Sequence, residues 1–499
     1  MVRALSTCWM EKLNKPRKIQ KMKKAIIVWC CTCFISTYCL AQTDSLNKKI
    51  FSLKECVETG IENNIPVKQS ELVAQSAKAD WQKAKANLLP DLNGNWGYGW
   101  NQGRAIDPFT NGYIDQRFSS SSIGLNAGIT LFSGLQLQNL IRQTGYAFHA
   151  SEMEWQQSKD KLTLDIILAY LTVLNAEDTW RIMLEQTNVT RKQVERLNVL
   201  VEKGAIGTYL LSDMKGQLSG DEINTVNNFA ALQTAKLNLA QLMNIPYDKN
   251  MQLQRLPESD LLEMYPATAQ QVYAASLKSL AQIKAVDLRV KSAEREVSVA
   301  KGGYFPTLRF IGNLGTNYSS ISNSLIPTTT IESPTGAYVM IDNTKTPVYE
   351  EKQNYDQRKI SYNTQFKNNL GSYIGLSLSV PIFNNLQVTT NVKKAKLQAN
   401  YAHLESENTK LILRQTIEKA YVDMTSAYER YKALLEQVMQ YKESFRAAEI
   451  RFNLGTIVST EYLITKNNYD RARLNLTQTW YEYIFRTRIL DFYQGKLSF

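Results

Sequence analysis

Residues that commonly perform acid–base chemistry or bind metals are scarce in this chain of 499 residues. His149 and His403 are the only histidines, and neither belongs to a cluster with ligand spacing. The sequence contains no nucleophile elbow, no phosphate-binding loop and no recognisable pair of catalytic carboxylates. It therefore predicts neither an enzyme nor a site for a metal or cofactor.

The N-terminal segment has the pattern of an export signal. Met22-Lys23-Lys24 supplies a basic start, residues 25–40 are apolar, and Ala41 is the small residue before cleavage. The apolar segment is shorter than the ~20 residues that a membrane helix needs. We predict a signal peptide with an upstream extension over residues 1–41, and an uncleaved anchor is the alternative. Lipidation of Cys39 is not predicted, because Tyr38 precedes it.

Removal of residues 1–41 changes the charge and the cysteine content of the chain. Eight basic residues and one acidic residue lie in this segment, so the net charge falls from +12 to +5. The remaining charge gives little reason to expect nucleic acid as a partner. Cys56 becomes the single cysteine of the mature chain, which excludes an intrachain disulfide.

The mature chain consists of two similar halves with an offset of 251 positions. Ile123-Gly124-Leu125 recurs as Ile374-Gly375-Leu376, and Gly204 recurs as Gly455. The alignment needs no gap between these positions, which indicates an internal duplication. The predicted units are a first repeat over 42–245, an inter-repeat segment over 246–269 and a second repeat over 270–499.

Each half contains long segments that favour helix. No proline occurs between Pro108 and Pro246 or after Pro381. In each half, the first helical run (52–88 or 270–305) and the returning helix together have about as many residues as the long helix. Two shorter helices laid end to end could therefore match one long helix, which predicts an antiparallel helical column. The predicted long helices are 133–203, 208–245, 385–454 and 459–494.

Four shorter segments alternate between apolar and polar or small residues. In residues 122–131, Ile123, Leu125 and Ile129 share one face with further apolar residues. Such alternation over ~10 residues is typical of a transmembrane β-strand, although a half-buried strand of a soluble sandwich is the alternative. The predicted strands are 91–100, 122–132, 307–318 and 373–383, and the predicted membrane-interface aromatics are Trp96, Tyr98, Trp100 and Tyr318.

Four strands are too few to close a membrane barrel, since the smallest barrels have ~8. Open strand edges are not tolerated in lipid, so several copies of the chain must combine. Three copies would supply 12 strands, and two would also close a barrel. The second half carries 35 additional residues before Phe383, within the segment 319–371. This segment is rich in Ser, Thr, Asn and Tyr, contains Pro327, Pro334 and Pro347, and is predicted to be a long polar loop.

Duplicated halves, paired strands and long helical hairpins together resemble the TolC family of outer-membrane efflux proteins. The helix turn from Arg451 to Leu463 is similar to the family's glycine-containing tip, and Val201 to Leu211 is a weaker copy. The resemblance implies an α+β membrane protein. It would be a homotrimer whose 12-stranded β-barrel, with four strands per chain, contacts outer-membrane lipid and continues as a long α-helical barrel in the periplasm. Segment 246–269 would belong to an equatorial belt.

The resemblance also implies roles for residues at the helix tips. Gly204 and Gly455 match the glycines that reverse the chain, and Thr208 and Ser459 follow them in the turns expected to contact an adaptor protein. Glu461 matches an acidic position at the periplasmic aperture, where a ring of three carboxylates would attract cations. An ordinary surface glutamate is the alternative reading of Glu461.

The family's Asp, Tyr and Arg latch is not reproduced in this sequence. Leu210, Phe452 and Ile457 stand at those positions, so we expect this aperture to close by apolar packing.

The function implied by the resemblance is a passive conduit in a tripartite efflux pump. It would carry small molecules from a periplasmic adaptor (membrane fusion) protein and an inner-membrane RND or ABC transporter to the exterior. A conduit for ABC-driven (type I) secretion of proteins or peptides is the nearest alternative. A non-conducting trimeric coiled-coil scaffold is an alternative of another class, which the alternating strands and the two tip glycines disfavour.

Overall fold

A computed structural model describes residues 50–106, 111–115, 117–255 and 263–496. The predicted signal segment 1–41 lies outside these residues. The chain divides into two units. In the smaller unit, β1 (Ile50–Phe51) pairs in parallel with β6 (Gln252–Leu253). All other elements belong to the larger unit.

Two short helices precede the sheet in each half, where the sequence predicted one helical run. In the first half these are α1 (Leu53–Asn63) and α2 (Ile65–Ala86). The break falls at Asn64, which is extended and whose side chain accepts a hydrogen bond from the Val67 N–H at 3.2 Å. The second half has the same break at Leu280, between α5 (Ala269–Ser279) and α6 (Ala281–Gly302).

The larger unit contains a four-stranded antiparallel sheet with the order β10-β7-β5-β2. The strands are β2 (Asp91–Asn101), β5 (Phe118–Ser133), β7 (Thr307–Ser319) and β10 (Gly371–Ser379). A small hairpin of β3 (Arg104–Ile106) and β4 (Tyr113–Asp115) lies between β2 and β5 in the chain. β10 is shorter than the predicted strand 373–383, because Pro381 cannot donate a ladder hydrogen bond.

Among the described residues, the outer edges of β2 and β10 pair with no other strand. Both halves contribute to this one sheet, and the central pairing of β5 with β7 joins them, for example at Leu125 opposite Leu314. The sheet formed by a single chain therefore has an unpaired strand at each edge.

Long helices follow the strands in both halves. α3 (Gln136–Glu202) and α8 (Gln387–Asn453) have 67 residues each, which corresponds to ~100 Å. The returning helices α4 (Thr208–Met243) and α9 (Ser459–Gln494) have 36 residues each. Corresponding helices begin and end 251 positions apart, which is the offset of the sequence repeat.

The helices pack as a continuous bundle. α3 lies along α4 and α6, and α8 lies along α9 and α6, so α6 contacts both long helices. Arg289 on α6 pairs with Glu154 on α3 at 2.8 Å, and Asp287 on α6 pairs with Lys410 on α8 at 2.8 Å. No helix among the described residues has the length and apolar character needed to cross a membrane.

The segment 319–371 is not the polar loop that the sequence predicted. It forms a hairpin of β8 (Asn323–Ile341) and β9 (Thr344–Lys359), followed by the short helix α7 (Tyr362–Asn368). Asp342 and Asn343 connect the strands and have φ values of 48° and 68°. These left-handed conformations suit a two-residue hairpin turn, and Thr, Tyr, Val and Ile favour the flanking strands.

Gly134 occupies a crowded junction between β5 and α3. This crowding predicts how its replacement would change the stability of the protein. Its φ is +60°, and a Cβ there would lie 2.5 Å from the Gly302 carbonyl oxygen and 2.7 Å from the Phe305 Cβ. Gly455 also has a positive φ, of +74°, but has open space around it. Both Gly→Ala changes should cost ~1–2 kcal/mol in backbone strain. Only Gly134→Ala should add ~1–3 kcal/mol from overpacking.

Thermal unfolding of the detergent-purified protein, followed by circular dichroism, would therefore show a larger fall in Tm for Gly134→Ala than for Gly455→Ala. Equal Tm values for the two variants would contradict the crowded junction.

Candidate functional site

The two helical hairpins reverse direction at Gly204 and Gly455 through the same backbone geometry. The Gly204 N–H donates to the Val201 carbonyl at 2.8 Å, and the Gly455 N–H donates to the Phe452 carbonyl at 3.1 Å. In each turn the next residue donates to a carbonyl five positions earlier, which completes a Schellman motif. Both glycines have φ near +70°, a conformation in which a Cβ is strained.

An apolar cluster joins the two hairpins just behind these turns, and we call it the tip cluster. The Phe452 ring stacks on the Tyr462 ring with centroids 4.6 Å apart. Because the members come from α3, α4, α8 and α9, the cluster fixes the first hairpin against the second. Its buried residues are Leu197, Leu211, Met214, Phe452 and Tyr462.

The residues expected to replace the family's latch lie in or beside the tip cluster. Phe452 is buried within it, and Ile457 packs against its margin. Leu210 is half-buried, and the adjacent Leu211 enters the cluster. In the single chain, Phe452 thus packs between helices of the same molecule.

A buried group of charges lies further along α4 and α9. The Lys466 side chain is 2% exposed, and its Nζ lies 3.2 Å from Asp221 Oδ2 and 2.8 Å from Asp470 Oδ2. Asp221 Oδ2 also accepts from Thr190 Oγ1 at 2.6 Å, and Gln217 Nε2 donates to Asp221 Oδ1 at 2.7 Å. We call these five residues the ion cluster. It links α3, α4 and α9.

The ion cluster contains one cation and two carboxyl groups that are largely shielded from solvent, since the side chains of Asp221 and Asp470 are 9% and 15% exposed. Burial raises the pKa of the Asp470 carboxyl above its ordinary value, although Lys466 opposes the shift. Burial likewise raises the pKa of the nearby Tyr462 phenol, whose hydroxyl has no hydrogen-bond partner among the described residues. Because these charges are withdrawn from solvent, they depend on their mutual pairing.

Polar contacts hold the turns at the surface. Arg196 on α3 donates to the Asn453 carbonyl at 2.7 Å, and Ser459 Oγ donates to Asp213 Oδ2 at 3.0 Å, so each contact joins the two hairpins. Arg451 pairs with Glu461 at 3.1 Å, and both side chains are about half exposed.

The residues expected to contact an adaptor differ in their exposure. Gly204, Thr208 and Gly455 are exposed at the turns, whereas Ser459 is buried. Glu461 is exposed, but its carboxylate is shared with Arg451. A salt bridge so exposed contributes little to stability, at most about 1 kcal/mol.

The predicted membrane-interface aromatics lie on two strands. Trp96, Tyr98 and Trp100 are exposed on the edge strand β2, and Tyr98 meets Trp100 edge to face. Tyr318 is half-buried near the end of β7 and contacts the Tyr362 ring at 4.8 Å.

Sequence reasoning missed the ion cluster. Lys466 and Asp470 have helical i, i+4 spacing, but this spacing is common on solvated helix faces. Asp221 lies 245 positions before Lys466. Under the repeat offset, Lys466 corresponds to the exposed Lys215 and Asp221 corresponds to Ala472, so the duplication itself gave no signal. Within the part of the chain that the structure describes, no three metal-binding side chains are grouped.

Replacement of Lys466 tests the energetic role of the ion cluster. Lys466→Met removes the cation and leaves two carboxyl groups buried without it, which should cost ~3–5 kcal/mol. The exposed counterpart Lys215→Met should change stability by less than ~0.5 kcal/mol. Thermal unfolding and hydrogen exchange of α4 and α9 measure both effects.

The double variant Lys466→Met/Asp221→Asn should recover part of the lost stability, because one buried carboxylate is neutralised. A Lys466→Met protein as stable as Lys215→Met would show that the ion cluster does not hold the hairpins together.

Comparison with known proteins agrees with this geometry. The family model described as outer membrane efflux protein matches residues 57–244 and 272–486, one segment in each half. The outer membrane protein TolC of Escherichia coli K12 is 21% identical over 423 residues, which cover 85% of this chain and 78% of TolC. TolC of Vibrio cholerae is 24% identical over 428 residues, which cover 83% of this chain and 84% of that protein.

Among solved structures, the CmeC outer membrane channel of Campylobacter jejuni matches with a TM-score of 0.70 at 18% identity. The match covers 89% of this chain and 85% of CmeC. The chain therefore has the α+β channel fold, which confirms the resemblance drawn from the sequence. The family is one of channels and not of enzymes, located in the outer membrane with a periplasmic helical part. Because the family model matches most of both halves, this chain belongs to the outer membrane efflux protein family, which includes TolC.

Proposed function

We propose that the protein is the outer-membrane channel of a tripartite efflux pump and passively conducts small molecules to the exterior. The open edges of the four-stranded sheet carry this proposal. β2 and β10 pair with no other strand among the described residues, and in lipid such edges must be closed by further copies. A sheet closed in this way surrounds a lumen.

The helices also favour lateral association between copies. α8 exposes Leu397, Leu404 and Leu411 at seven-residue intervals, with Tyr401 between them. This spacing is typical of helices that pack side by side. We infer a homotrimer with 12 strands, in which the helices of three copies form the periplasmic barrel.

The tips are the surface proposed for a periplasmic adaptor, which would connect the channel to an RND or ABC transporter. Thr208 and the two tip glycines are exposed there. Glu461 is proposed to line the aperture, with its charge partly balanced by Arg451.

A site-specific crosslink tests the assignment to a pump. A photoreactive residue at Thr208 should capture the adaptor in intact cells. The same residue at Thr234, exposed on the same helix ~39 Å away, should not capture it. Mass spectrometry of the captured assembly should identify an adaptor together with a proton-driven transporter.

Capture of other proteins by the crosslink would change the assignment to an efflux pump. An ABC exporter carrying proteins would move the channel to type I secretion. An intact trimer without any adaptor would favour the scaffold alternative and contradict a pump.

Conductance across a planar lipid bilayer tests both the channel and its closure. Phe452 is 7% exposed in the tip cluster, whereas Leu454, two residues later, is 74% exposed. Phe452→Ala removes the ring that stacks on Tyr462, a loss of ~3–5 kcal/mol of packing. The resting conductance should therefore rise several-fold, while Leu454→Ala should behave like the wild type.

An unchanged resting conductance in Phe452→Ala would argue against closure by apolar packing. A correctly assembled trimer of the wild-type protein that never conducts would contradict the channel itself.

A further inference from the structure

The β8–β9 hairpin is attached to the sheet through a fixed base. It leaves the sheet at Ser319, the end of β7 opposite the long helices, and returns through α7 to β10. The buried Gln365 of α7 holds Ser319 on both sides: its Oε1 accepts from the Ser319 N–H at 2.9 Å, and its Nε2 donates to the Ser319 carbonyl at 3.0 Å. The base of the hairpin is therefore anchored to the end of β7.

Beyond this base the hairpin has little support. Among the described strands, β8 and β9 pair only with each other, and the 16 residues of β9 extend ~50 Å. A two-stranded sheet is at best marginally stable in water. Four consecutive large apolar residues, Tyr338 to Ile341, precede the turn, and each is more than half exposed. Such a run on a surface indicates a contact.

The edges of the hairpin are poorly suited to bind another strand. Pro327 and Pro334 lie in β8, and Pro347 lies in β9. Proline has no N–H to donate, and natural proteins place it on edge strands to prevent further pairing. A partner is therefore expected to cover a face of the hairpin.

One face combines tyrosine with proline. The register places Tyr355 opposite Pro327, Tyr349 opposite Pro334, and Tyr338 opposite Pro347. The three β9 members occupy odd-numbered positions, which share a face in a strand. Each tyrosine is 55% exposed. We call this the Tyr–Pro face. Along β9 the other face carries Glu350, Lys352, Asp356 and Arg358.

A pair of glutamates divides the Tyr–Pro face in two. Glu332 lies directly opposite Glu351, between the pair containing Tyr355 and the pair containing Tyr349. Like charges would oppose close approach of several copies at this level. The distal part, beyond the glutamates, contains Tyr349, Tyr338 and Met340. Its one charged residue is Lys345, whose Nζ lies 4.4 Å from the centroid of the Tyr338 ring.

The position of the hairpin indicates what covers the distal part. β10, to which the hairpin returns, has the open edge that would meet β2 of a neighbouring copy. A 12-stranded barrel is ~24 Å in diameter, so three hairpins would emerge ~20 Å apart. Packed sheets lie ~10 Å apart. To reach this separation over its length of ~50 Å, each hairpin would have to lean inward by less than ~10°. Hairpins that converge in this way meet at their tips and leave the glutamates separated.

We propose that the three hairpins of the trimer associate through their distal Tyr–Pro faces and form a stalk over the outer mouth of the channel. This inference rests on the trimer of the proposed function. Substances leaving the lumen would then pass between the bases of the hairpins.

Cysteine crosslinking on intact cells tests the stalk. In a Cys56→Ser background, Tyr349→Cys places a thiol on the distal Tyr–Pro face, and Glu350→Cys places one on the opposite face. A short bifunctional maleimide should join protomers of Tyr349→Cys with a yield several-fold above that of Glu350→Cys. Pro347→Cys, two residues along the same face, repeats the test if Tyr349→Cys disturbs the hairpin.

A membrane-impermeant maleimide and the native mass of the purified protein separate the outcomes. A trimer whose two cysteine variants are labelled equally and crosslink equally poorly would overturn the stalk and leave the channel intact. Crosslinks from Tyr349→Cys to a different protein would overturn it in favour of an external partner. The absence of a trimer would overturn the trimer and the stalk together.

Discussion

An unpaired strand edge in lipid is the constraint on which the rest of this structure depends. Each backbone N–H or C=O without a partner in the hydrocarbon region costs several kcal/mol, so a sheet of four strands cannot be a finished membrane structure. β2 and β10 leave such edges at the two ends of the sheet. The proposed closure by other copies would impose rotational symmetry on the assembly, and the helices would share that symmetry because each strand pair continues directly into a long helix.

Within one chain, the two duplicated halves are alike only in part. Their four long helices begin and end 251 positions apart, and Leu135 and Leu386 adopt the same left-handed conformation before α3 and α8. The differences concentrate at the two ends of the molecule. At the tips, the buried Lys466 corresponds to the exposed Lys215. At the other end, only the second half carries the β8–β9 hairpin. The duplication thus supplied the scaffold, and later divergence supplied the features that distinguish the halves.

The fold could be predicted where local rules decide it. The proline-free runs and the tip glycines placed the long helices within a few residues of their observed bounds, because helix ends depend on neighbours in the chain. The hairpin was missed because its threonines and prolines resemble a loop, and because the Asp342-Asn343 turn is a weaker signal than the usual turn containing glycine. The ion cluster could not be predicted, since Asp221 and Lys466 meet only through the packing of α4 on α9.

The two buried clusters at the tips resist separation of the hairpins in different ways. The free energy contributed by the tip cluster falls in proportion to the apolar area that becomes exposed, so its stability decreases gradually as the hairpins separate. The ion cluster behaves otherwise, because its charges are tolerated only while they are paired or fully hydrated. A partial displacement of α9 from α4 would leave Lys466 and Asp221 neither paired nor solvated. The ion cluster therefore disfavours a partial separation of α9 from α4, whereas the tip cluster alone would not.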